Sequence, residues 1–217
     1  MTRKIKLNFP HPPARPDESP DFSAIKIPEA GILDVPPPDL KATDSHDYAK
    51  GIIRVLNDQG DAVGAWADHI ADLDDTALLQ GLRDMLMMRA VDKRLLNAQR
   101  QGKTSFYLQC TGEEAIGCGF QRQLEPDDMN FPTYRQQPLL IAADYPLRDL
   151  MGQIYSNDCD PLQGRQLPIM HSARDHGFFS ISGNLGTQYV QAVGWAMGCA
   201  LRGNGKIAVG WIGDGAT

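Results

Sequence analysis

Apolar residues recur at three- and four-residue spacing between Asp75 and Arg100, which predicts a long amphipathic helix. Asp75 or Thr76 can cap the start of this helix, and Gly102 is expected to end it. Three further helices are predicted over residues 111–123, from Pro146 onward, and over about 187–201, the last of which Gly203–Gly205 should end. Thr111 and Glu114 have the spacing of a capping box for the first of these three helices.

A short apolar run at residues 206–212 predicts a buried strand, which leads into the glycine-rich segment 213–217. A helix, a short loop, an apolar strand and a glycine loop in succession are typical of a parallel α/β sheet. Ligands bind at the carboxyl ends of the strands in such sheets, so we expect residues 213–217 to lie at a binding site. Residues 51–60 predict another short strand that runs into a turn.

Two glycines, Gly194 and Gly198, stand four residues apart in the helix predicted over about 187–201. Glycine weakens a helix, so two glycines on one helical face predict close packing against another element. We expect this face to suit a tight subunit contact.

Prolines are concentrated near the start of the chain, where nine of the 15 lie between Pro10 and Pro38. Because proline lacks an amide donor and fixes φ, this segment cannot be a regular helix or a central strand. It is either disordered or an extended arm on another surface, and apolar residues such as Ile25 and Ile27 favour the arm. We therefore divide the chain into an arm over residues 1–50 and an α/β domain over residues 51–217.

Composition excludes several classes of function. The 217 residues carry 21 Lys and Arg against 27 Asp and Glu, a net charge of −6 without a basic stripe, which argues against nucleic-acid binding. No run of eighteen apolar residues predicts a membrane-spanning helix. Four cysteines without a C-x-x-C motif, and no signal or transit peptide, predict the cytoplasm. The glycine loop at the end of the sequence lacks the helix that should follow, so we expect a longer protein.

Three motifs carry groups that suit phosphate or metal binding. In Gly213–Gly215 the glycines allow close backbone approach, and Asp214 offers a hard oxygen ligand for Mg²⁺. Tyr134 and Arg135 offer a hydroxyl and a planar guanidinium fork for phosphate oxygens. The oxygen-bearing side chains of residues 181–188 could hold a metal ion or order a loop. Taken singly, these motifs also fit an ordinary turn, a surface arginine and a helix cap.

Six sequence blocks, in this order, resemble the alpha subunits of the thiamine-diphosphate-dependent 2-oxo acid dehydrogenases, and the resemblance runs from about Ile32 to the last residue. The blocks are Arg100–Tyr107, Gly112–Ala115, Phe131–Arg135, Gly164–Pro168, Ser182–Gln188 and Gly213–Gly215. Residues 105–107 and 164–168 are more similar to the branched-chain type than to pyruvate dehydrogenase. The proline-rich arm and residues 51–56 resemble a bacterial member of that type. The resemblance implies the thiamine-diphosphate-binding α/β fold, in which helices flank a central parallel sheet.

The resemblance also implies a site for thiamine diphosphate and Mg²⁺, with Tyr134 and Arg135 on the diphosphate and Asp214 on the metal. The residues that it places on the cofactor are Tyr134, Arg135, Gly183, Leu185, Gly213, Asp214, Gly215 and Ala216. The residues that it places on a K⁺ ion are Ser182, Asn184, Thr187 and Gln188. Gly183 and Asn184 stand where some relatives have Ser and Pro. No catalytic residue is implied within this chain, because the catalytic His of the family lies further along.

The implied activity is oxidative decarboxylation of branched-chain 2-oxo acids, such as 3-methyl-2-oxobutanoate, with acyl transfer to a lipoyl group. The implied partners are a beta subunit in an α₂β₂ heterotetramer, which supplies the glutamate that activates the cofactor, and a lipoyl-bearing acyltransferase core. Two alternatives stay open, namely pyruvate or acetoin as the substrate and a non-catalytic fragment that binds a partner. A nucleotide-binding P-loop ending at Gly102–Thr104 is disfavoured, since Asn97 stands where its first glycine belongs.

Overall fold

The computed structural model describes residues 28–37, 39–44, 48, 51–70 and 74–216. The chain divides into two compact units, Met1–Leu73 and Asp74–Thr217. Most of the proline-rich arm lies outside the described residues. The candidate site lies wholly in the second unit.

A tight turn dominates the described part of the first unit. Leu56 and Ala62 form a single antiparallel bridge, and the Asn57 side-chain oxygen accepts a hydrogen bond from the Asp61 amide at 2.8 Å. The turn predicted within residues 51–60 is therefore present, but the predicted strand is wrong beyond this one bridge. Side chains such as Asn57 compete with a ladder for the backbone amides, which shortens the pairing.

The first unit also holds residues 28–37 against residues 51–66. The Gly31 amide donates to the Arg54 carbonyl at 2.9 Å, and the Trp66 indole donates to the Leu33 carbonyl at 3.0 Å. Gly31 and Gly64 both have positive φ, and a Cβ on Gly64 would lie 2.4 Å from the Gly31 Cα. Only glycine at both positions allows the two backbones to approach this closely.

The second unit alternates helices with two short strands. Its helices are α1 (Asp75–Arg100), α2 (Glu114–Gln121), α3 (Gln137–Ala142), α4 (Leu147–Tyr155) and α5 (Thr187–Arg202). Its strands are β1 (Met129–Phe131) and β2 (Ala208–Gly210). Short 3₁₀ turns occur at Ala42–Asp44 and Ala67–His69 in the first unit. In the second unit they occur at Arg174–His176 and Asp214–Ala216. The predicted helices α1 and α5 are confirmed, and α2 ends two residues before the predicted boundary.

The caps of two helices differ from the sequence prediction. Asp74, rather than Asp75 or Thr76, caps α1, since its Oδ1 accepts from the Ala77 amide at 2.6 Å. The Thr111 hydroxyl donates to Asp92 at 3.3 Å and does not cap α2. A buried acceptor one helix away has therefore displaced the local capping box, which corrects the prediction.

β1 and β2 pair in parallel, with Met129 opposite Ala208 and Phe131 opposite Gly210. The buried Asp128 accepts from the Ile207 amide at 2.9 Å and so fixes where β2 enters the pair. The strand predicted over 206–212 is confirmed at its centre, but its predicted burial is wrong, since Ala208 and Val209 are half-buried and Gly210 is exposed. β1 was not predicted. Parallel pairing of strands about 80 residues apart, with helices α3, α4 and α5 between them, supports the predicted α/β class.

The buried face of α1 packs on α2 and α3, and the main core also includes buried residues of α4. Its largest buried members are Met88, Leu95, Leu139, Leu140, Leu150, Ile154, Ile169 and Phe178. A second cluster joins the strands to α5 and consists of Met129, Phe131 and Ala192 with Trp195 and Ala208. Val91 and Leu95 of α1 thus share one core with Leu150 and Ile154 of α4, as expected for amphipathic helices. Four other predicted apolar positions, in the first half of α1, are exposed, namely Leu78, Leu79, Leu82 and Leu86.

The glycine face of α5 has no neighbour among the described residues. A Cβ added at Gly194 or Gly198 would meet nothing within 4 Å. This face therefore packs closely against nothing within the described residues, and the subunit contact expected from the sequence stays a prediction. The helix instead packs on the strands through the opposite face, which carries Ala192, Trp195 and Cys199.

Gly152 in α4 provides a close contact that the sequence did not suggest. A Cβ at this position would lie 2.7 Å from the Cys159 carbonyl carbon and 3.0 Å from the Asp160 amide nitrogen. Both atoms belong to backbone, which cannot rotate away, so helix α4 approaches the 159–160 loop only through glycine.

We expect Gly152→Ala to lower the free energy of unfolding by about 2 kcal/mol, because the added methyl overpacks a buried contact. Thermal or urea denaturation followed by circular dichroism measures the change. Gly81→Ala in α1 is the matched control, since a Cβ there meets nothing within 4 Å and alanine favours a helix. Equal stability of the two variants would contradict the packing argument.

Candidate functional site

A cavity of about 460 Å³ opens at the carboxyl ends of β1 and β2. Four segments of the chain meet there: one precedes α2, one follows β1, one precedes α5 and one follows β2. The lining residues are Glu113, Thr133, Tyr134, Arg135, Gln136, Leu185, Gly186, Ile212, Gly213, Asp214, Gly215 and Ala216. This is the edge at which parallel α/β sheets bind ligands, as the sequence predicted for residues 213–217.

Hydrogen bonds between Trp211, directly after β2, and residues of β1 hold in place the two segments that follow the strands. The Trp211 amide donates to the Phe131 carbonyl at 3.0 Å, and its indole donates to the Asn130 side chain at 2.9 Å. Asn130 is fully buried, and its amide group donates to Gln121 at 2.9 Å. The loop after β2 therefore leaves the sheet from a fixed point.

Tyr134 and Arg135 occupy the turn that follows β1. The Arg135 guanidinium donates to the Gln109 carbonyl at 2.7 Å and lies 5.6 Å from the centre of the Tyr134 ring. The Gln136 side chain accepts from the Thr133 amide at 2.8 Å and closes the turn. A guanidinium held at one nitrogen keeps further N–H donors for a phosphate.

The loop after β2 forms a 3₁₀ turn, Asp214–Ala216, at the opposite side of the cavity. The exposed Asp214 accepts from the Gly215 amide at 3.0 Å. A Cβ on Gly186 would lie 3.5 Å from the Ala216 carbonyl, so the loop before α5 closes on this turn. Gly186 has φ +80°, which favours glycine at this junction.

The cavity brings together seven of the eight residues that the resemblance placed on the cofactor. Gly183 does not line it, nor do Ser182, Asn184, Thr187 and Gln188. The sequence reasoning missed Glu113, Thr133, Gln136, Gly186 and Ile212. Four of these five adjoin predicted residues in the sequence, whereas Glu113 was interpreted as part of a helix start.

Of the four residues predicted to hold K⁺, Ser182 and Asn184 lie in the loop before α5, and Thr187 and Gln188 are the first two residues of that helix. The Thr187 hydroxyl donates to the Asn184 carbonyl at 2.9 Å, and the Gln188 amide donates to the Ser182 carbonyl at 3.3 Å. The buried Gln188 Oε1 has no hydrogen-bond partner among residues 74–216 and the other described residues. A buried carbonyl oxygen without a donor fits a cation, because leaving it unpaired is costly.

A buried network behind the cavity is centred on Asp92 of α1, which is fully buried. Its carboxylate accepts from the Tyr107 hydroxyl at 2.6 Å and from the Cys110 amide at 3.0 Å. The Tyr107 oxygen also lies 3.1 Å from Gln137 Oε1, and the Gln137 amide donates to the Tyr134 carbonyl at 3.2 Å. The network therefore fixes the 107–111 loop, which supplies the acceptor for Arg135.

Burial shifts the pKa values of Tyr107 and of two buried cysteines. It raises the pKa of the Tyr107 hydroxyl, and the Asp92 hydrogen bond adds to the effect. Burial likewise raises the pKa of the Cys110 thiol, and raises that of Cys118 to about 11. Both thiols therefore stay protonated near neutral pH, which makes them poor nucleophiles.

The family profile described as the dehydrogenase E1 component matches residues 82–217, more than half of the chain. The chain belongs to the dehydrogenase E1 component family. A second profile, described as the 2-oxoisovalerate dehydrogenase E1 alpha subunit N terminal, matches residues 3–43. The predicted family is thus confirmed, and its thiamine diphosphate chemistry gives the cavity a candidate ligand.

Curated relatives of this E1 component are named as alpha subunits of 2-oxoisovalerate dehydrogenase. The chain is 51% identical over 98% of its length to the 2-oxoisovalerate dehydrogenase subunit alpha of Pseudomonas aeruginosa, and covers 51% of that protein. It is 35% identical over 76% of its length to the mitochondrial 2-oxoisovalerate dehydrogenase subunit alpha of Mus musculus, and covers 37% of it. The chain spans about half the length, or less, of these relatives.

No helix among the described residues of this E1 component is long and apolar enough to span a membrane.

His171 lies at the end of a loop that the buried Gln153 side chain orders. Gln153 donates to the Leu167 carbonyl at 2.7 Å and accepts from the Ile169 amide at 2.9 Å. Burial lowers the pKa of His171 to about 4, and the nearby Asp160 offsets only part of this effect. His171 Nε2 has no hydrogen-bond partner within the described part of the chain.

We expect stability to fall as the pH drops from about 6.5 to 4, because the unfolded state binds a proton in this window and the folded state does not. The loss should reach up to about 3 kcal/mol of unfolding free energy. Denaturant unfolding at several pH values measures it. In His171→Gln the slope of stability against pH should be smaller, and an unchanged slope would contradict the prediction.

Proposed function

We propose that this chain is part of the alpha subunit of a branched-chain 2-oxo acid dehydrogenase. The activity is oxidative decarboxylation of branched-chain 2-oxo acids, such as 3-methyl-2-oxobutanoate, with acyl transfer to a lipoyl group. The observation that carries the proposal is the cavity, where Tyr134 and Arg135 face the Gly213–Ala216 turn although about 80 residues separate them. The names of the relatives from Pseudomonas aeruginosa and Mus musculus support the substrate class.

The lining residues fit thiamine diphosphate with Mg²⁺. Arg135 offers N–H donors and Tyr134 a hydroxyl for the diphosphate, and Asp214 offers a carboxylate for the metal. Glycines at 213 and 215 leave the backbone open to a close phosphate. Leu185 adds an apolar contact, and we assign Gly183 to the same cofactor by resemblance.

We also propose a K⁺ ion in the loop of Ser182, Asn184, Thr187 and Gln188. The unpartnered Gln188 Oε1 supports this assignment, because a cation would satisfy a buried oxygen that the described residues leave alone. Such an ion would stiffen the loop that carries Leu185 and Gly186 to the cavity.

When bound, thiamine diphosphate supplies an electron sink for loss of CO₂ from the 2-oxo acid. The residues of this chain bind and orient the diphosphate end. We propose that a beta subunit completes the site in an α₂β₂ heterotetramer and that a lipoyl-bearing acyltransferase core receives the acyl group. In this proposal residues 1–50 form an arm, residues 51–217 belong to the thiamine-diphosphate-binding domain, and the enzyme works in the bacterial cytoplasm.

Turnover tests the proposal. The full-length alpha subunit, assembled with its beta subunit, is assayed with Mg²⁺, thiamine diphosphate and a lipoyl domain against 3-methyl-2-oxobutanoate, pyruvate and acetoin. A preference for the branched-chain acid in kcat/KM supports the proposal. A preference for pyruvate or acetoin would move the enzyme to those substrates, and a lack of turnover with bound cofactor would favour a non-catalytic partner-binding role.

A further inference from the structure

Two adjacent glutamates at the start of α2 have different surroundings. Glu114 is buried, pairs with Arg89 and accepts from the Gly112 amide at 2.8 Å. The ion pair with Arg89 holds the pKa of Glu114 below its usual value. The buried carboxylate of Glu114 is therefore satisfied without Glu113.

Glu113 occupies the N-cap position of α2 but makes no capping hydrogen bond with its side chain. Within residues 74–216 its carboxylate has no hydrogen bond or ion pair. It lines the same cavity as Arg135 and Asp214. A half-buried carboxylate with no structural partner, placed in a binding cavity, is a candidate for a role toward the ligand.

The charges around the cavity do not suit a diphosphate alone. Glu113, Arg135 and Asp214 are its charged lining residues, and they sum to a formal charge of −1. The starts of α2 and α5 add partial positive charge, which brings the site close to neutral. A diphosphate carries about two to three negative charges, so both carboxylates repel it unless a cation accompanies it.

Resting on the proposed function, we propose that Glu113 makes diphosphate binding depend on a divalent cation. Its carboxylate repels a metal-free diphosphate and attracts the Mg²⁺ that Asp214 is proposed to ligate. Mg²⁺ usually keeps several waters and is held by one or two carboxylates together with phosphate oxygens. Glu113 therefore acts on the hydrated ion and selects the metal-bound cofactor over the free one.

Glu113→Gln tests this role, because it removes the charge and keeps the shape. Calorimetry on the full alpha subunit with its beta subunit measures thiamine diphosphate binding in EDTA and the Mg²⁺ concentration that half-saturates binding. The variant should bind the cofactor about tenfold more tightly than the wild type in EDTA, since one repulsive charge is lost. It should also need about fivefold more Mg²⁺ for half-saturation.

Glu125→Gln is the matched control, because Glu125 is exposed and does not line this cavity. It should leave both values unchanged. If Glu113→Gln and the wild type give equal values with normal cofactor binding, the role of Glu113 is overturned but the proposed function is not. No cofactor binding by the wild type under any condition would overturn both this role and the proposed function.

Discussion

Replacing Asp214 with asparagine is expected to raise the dissociation constant for Mg²⁺–thiamine diphosphate about 100-fold or more. The substitution keeps the shape of the side chain but removes the negative charge proposed to face the metal. Mg²⁺ depends on one or two carboxylates in phosphate sites, and even groups behind a ligand change metal affinity 10–100-fold. Calorimetry on the full-length alpha subunit with its beta subunit measures the change.

Two controls separate a lost metal ligand from a disturbed fold. Asp175 lies in the other 3₁₀ turn described in the second unit and outside the cavity. The Asp175→Asn variant should therefore bind Mg²⁺–thiamine diphosphate with wild-type affinity. Raising the Mg²⁺ concentration should partly restore cofactor binding in Asp214→Asn, because metal and cofactor binding are coupled. Wild-type affinity in Asp214→Asn would contradict the proposed metal site.

The second large effect is expected at Asp92. We expect Asp92→Ala to lower the free energy of unfolding by about 3–4 kcal/mol, because it leaves the Cys110 amide without its buried acceptor and removes the short hydrogen bond from the Tyr107 hydroxyl. Chemical denaturation followed by circular dichroism measures the loss.

Asp92→Asn should cost less, about 1–2 kcal/mol. Its amide oxygen can still accept from the Cys110 amide, while the Tyr107 hydroxyl, 3.1 Å from Gln137 Oε1, turns its proton to that acceptor. The expected order is therefore wild type above Asp92→Asn above Asp92→Ala. Wild-type stability in Asp92→Ala would contradict the network.

The Asp92 variants should also weaken cofactor binding, although Asp92 lies outside the cavity. The 107–111 loop supplies the Gln109 carbonyl that accepts from Arg135 at 2.7 Å. When that loop loses its buried acceptor, the guanidinium loses its fixed position. Asp92 is thus expected to act as a positioning residue, and cofactor affinity measured well below the melting temperature separates this effect from unfolding.

Sequence features within each segment were sufficient to predict the helices α1 and α5 and the strand β2. The three- and four-residue spacing in Asp75–Arg100 and Thr187–Arg202 marked α1 and α5 within a residue or two. The apolar run before Gly213 marked β2. It did not mark β1, where buried Asn130 stands at the centre of a three-residue strand, because its polar side chain is satisfied by Gln121 and Trp211 from distant segments.

The order of short motifs in the sequence determined the family and indicated seven of the residues that line the cavity, because each motif is a short continuous segment. Only the tertiary structure decided which groups share the cavity. Thr111 turned to Asp92, and Glu113 lined the cavity while Glu114 was buried against Arg89. Such choices depend on partners distant along the chain, and sequence spacing carries no information about which of two neighbouring side chains meets them.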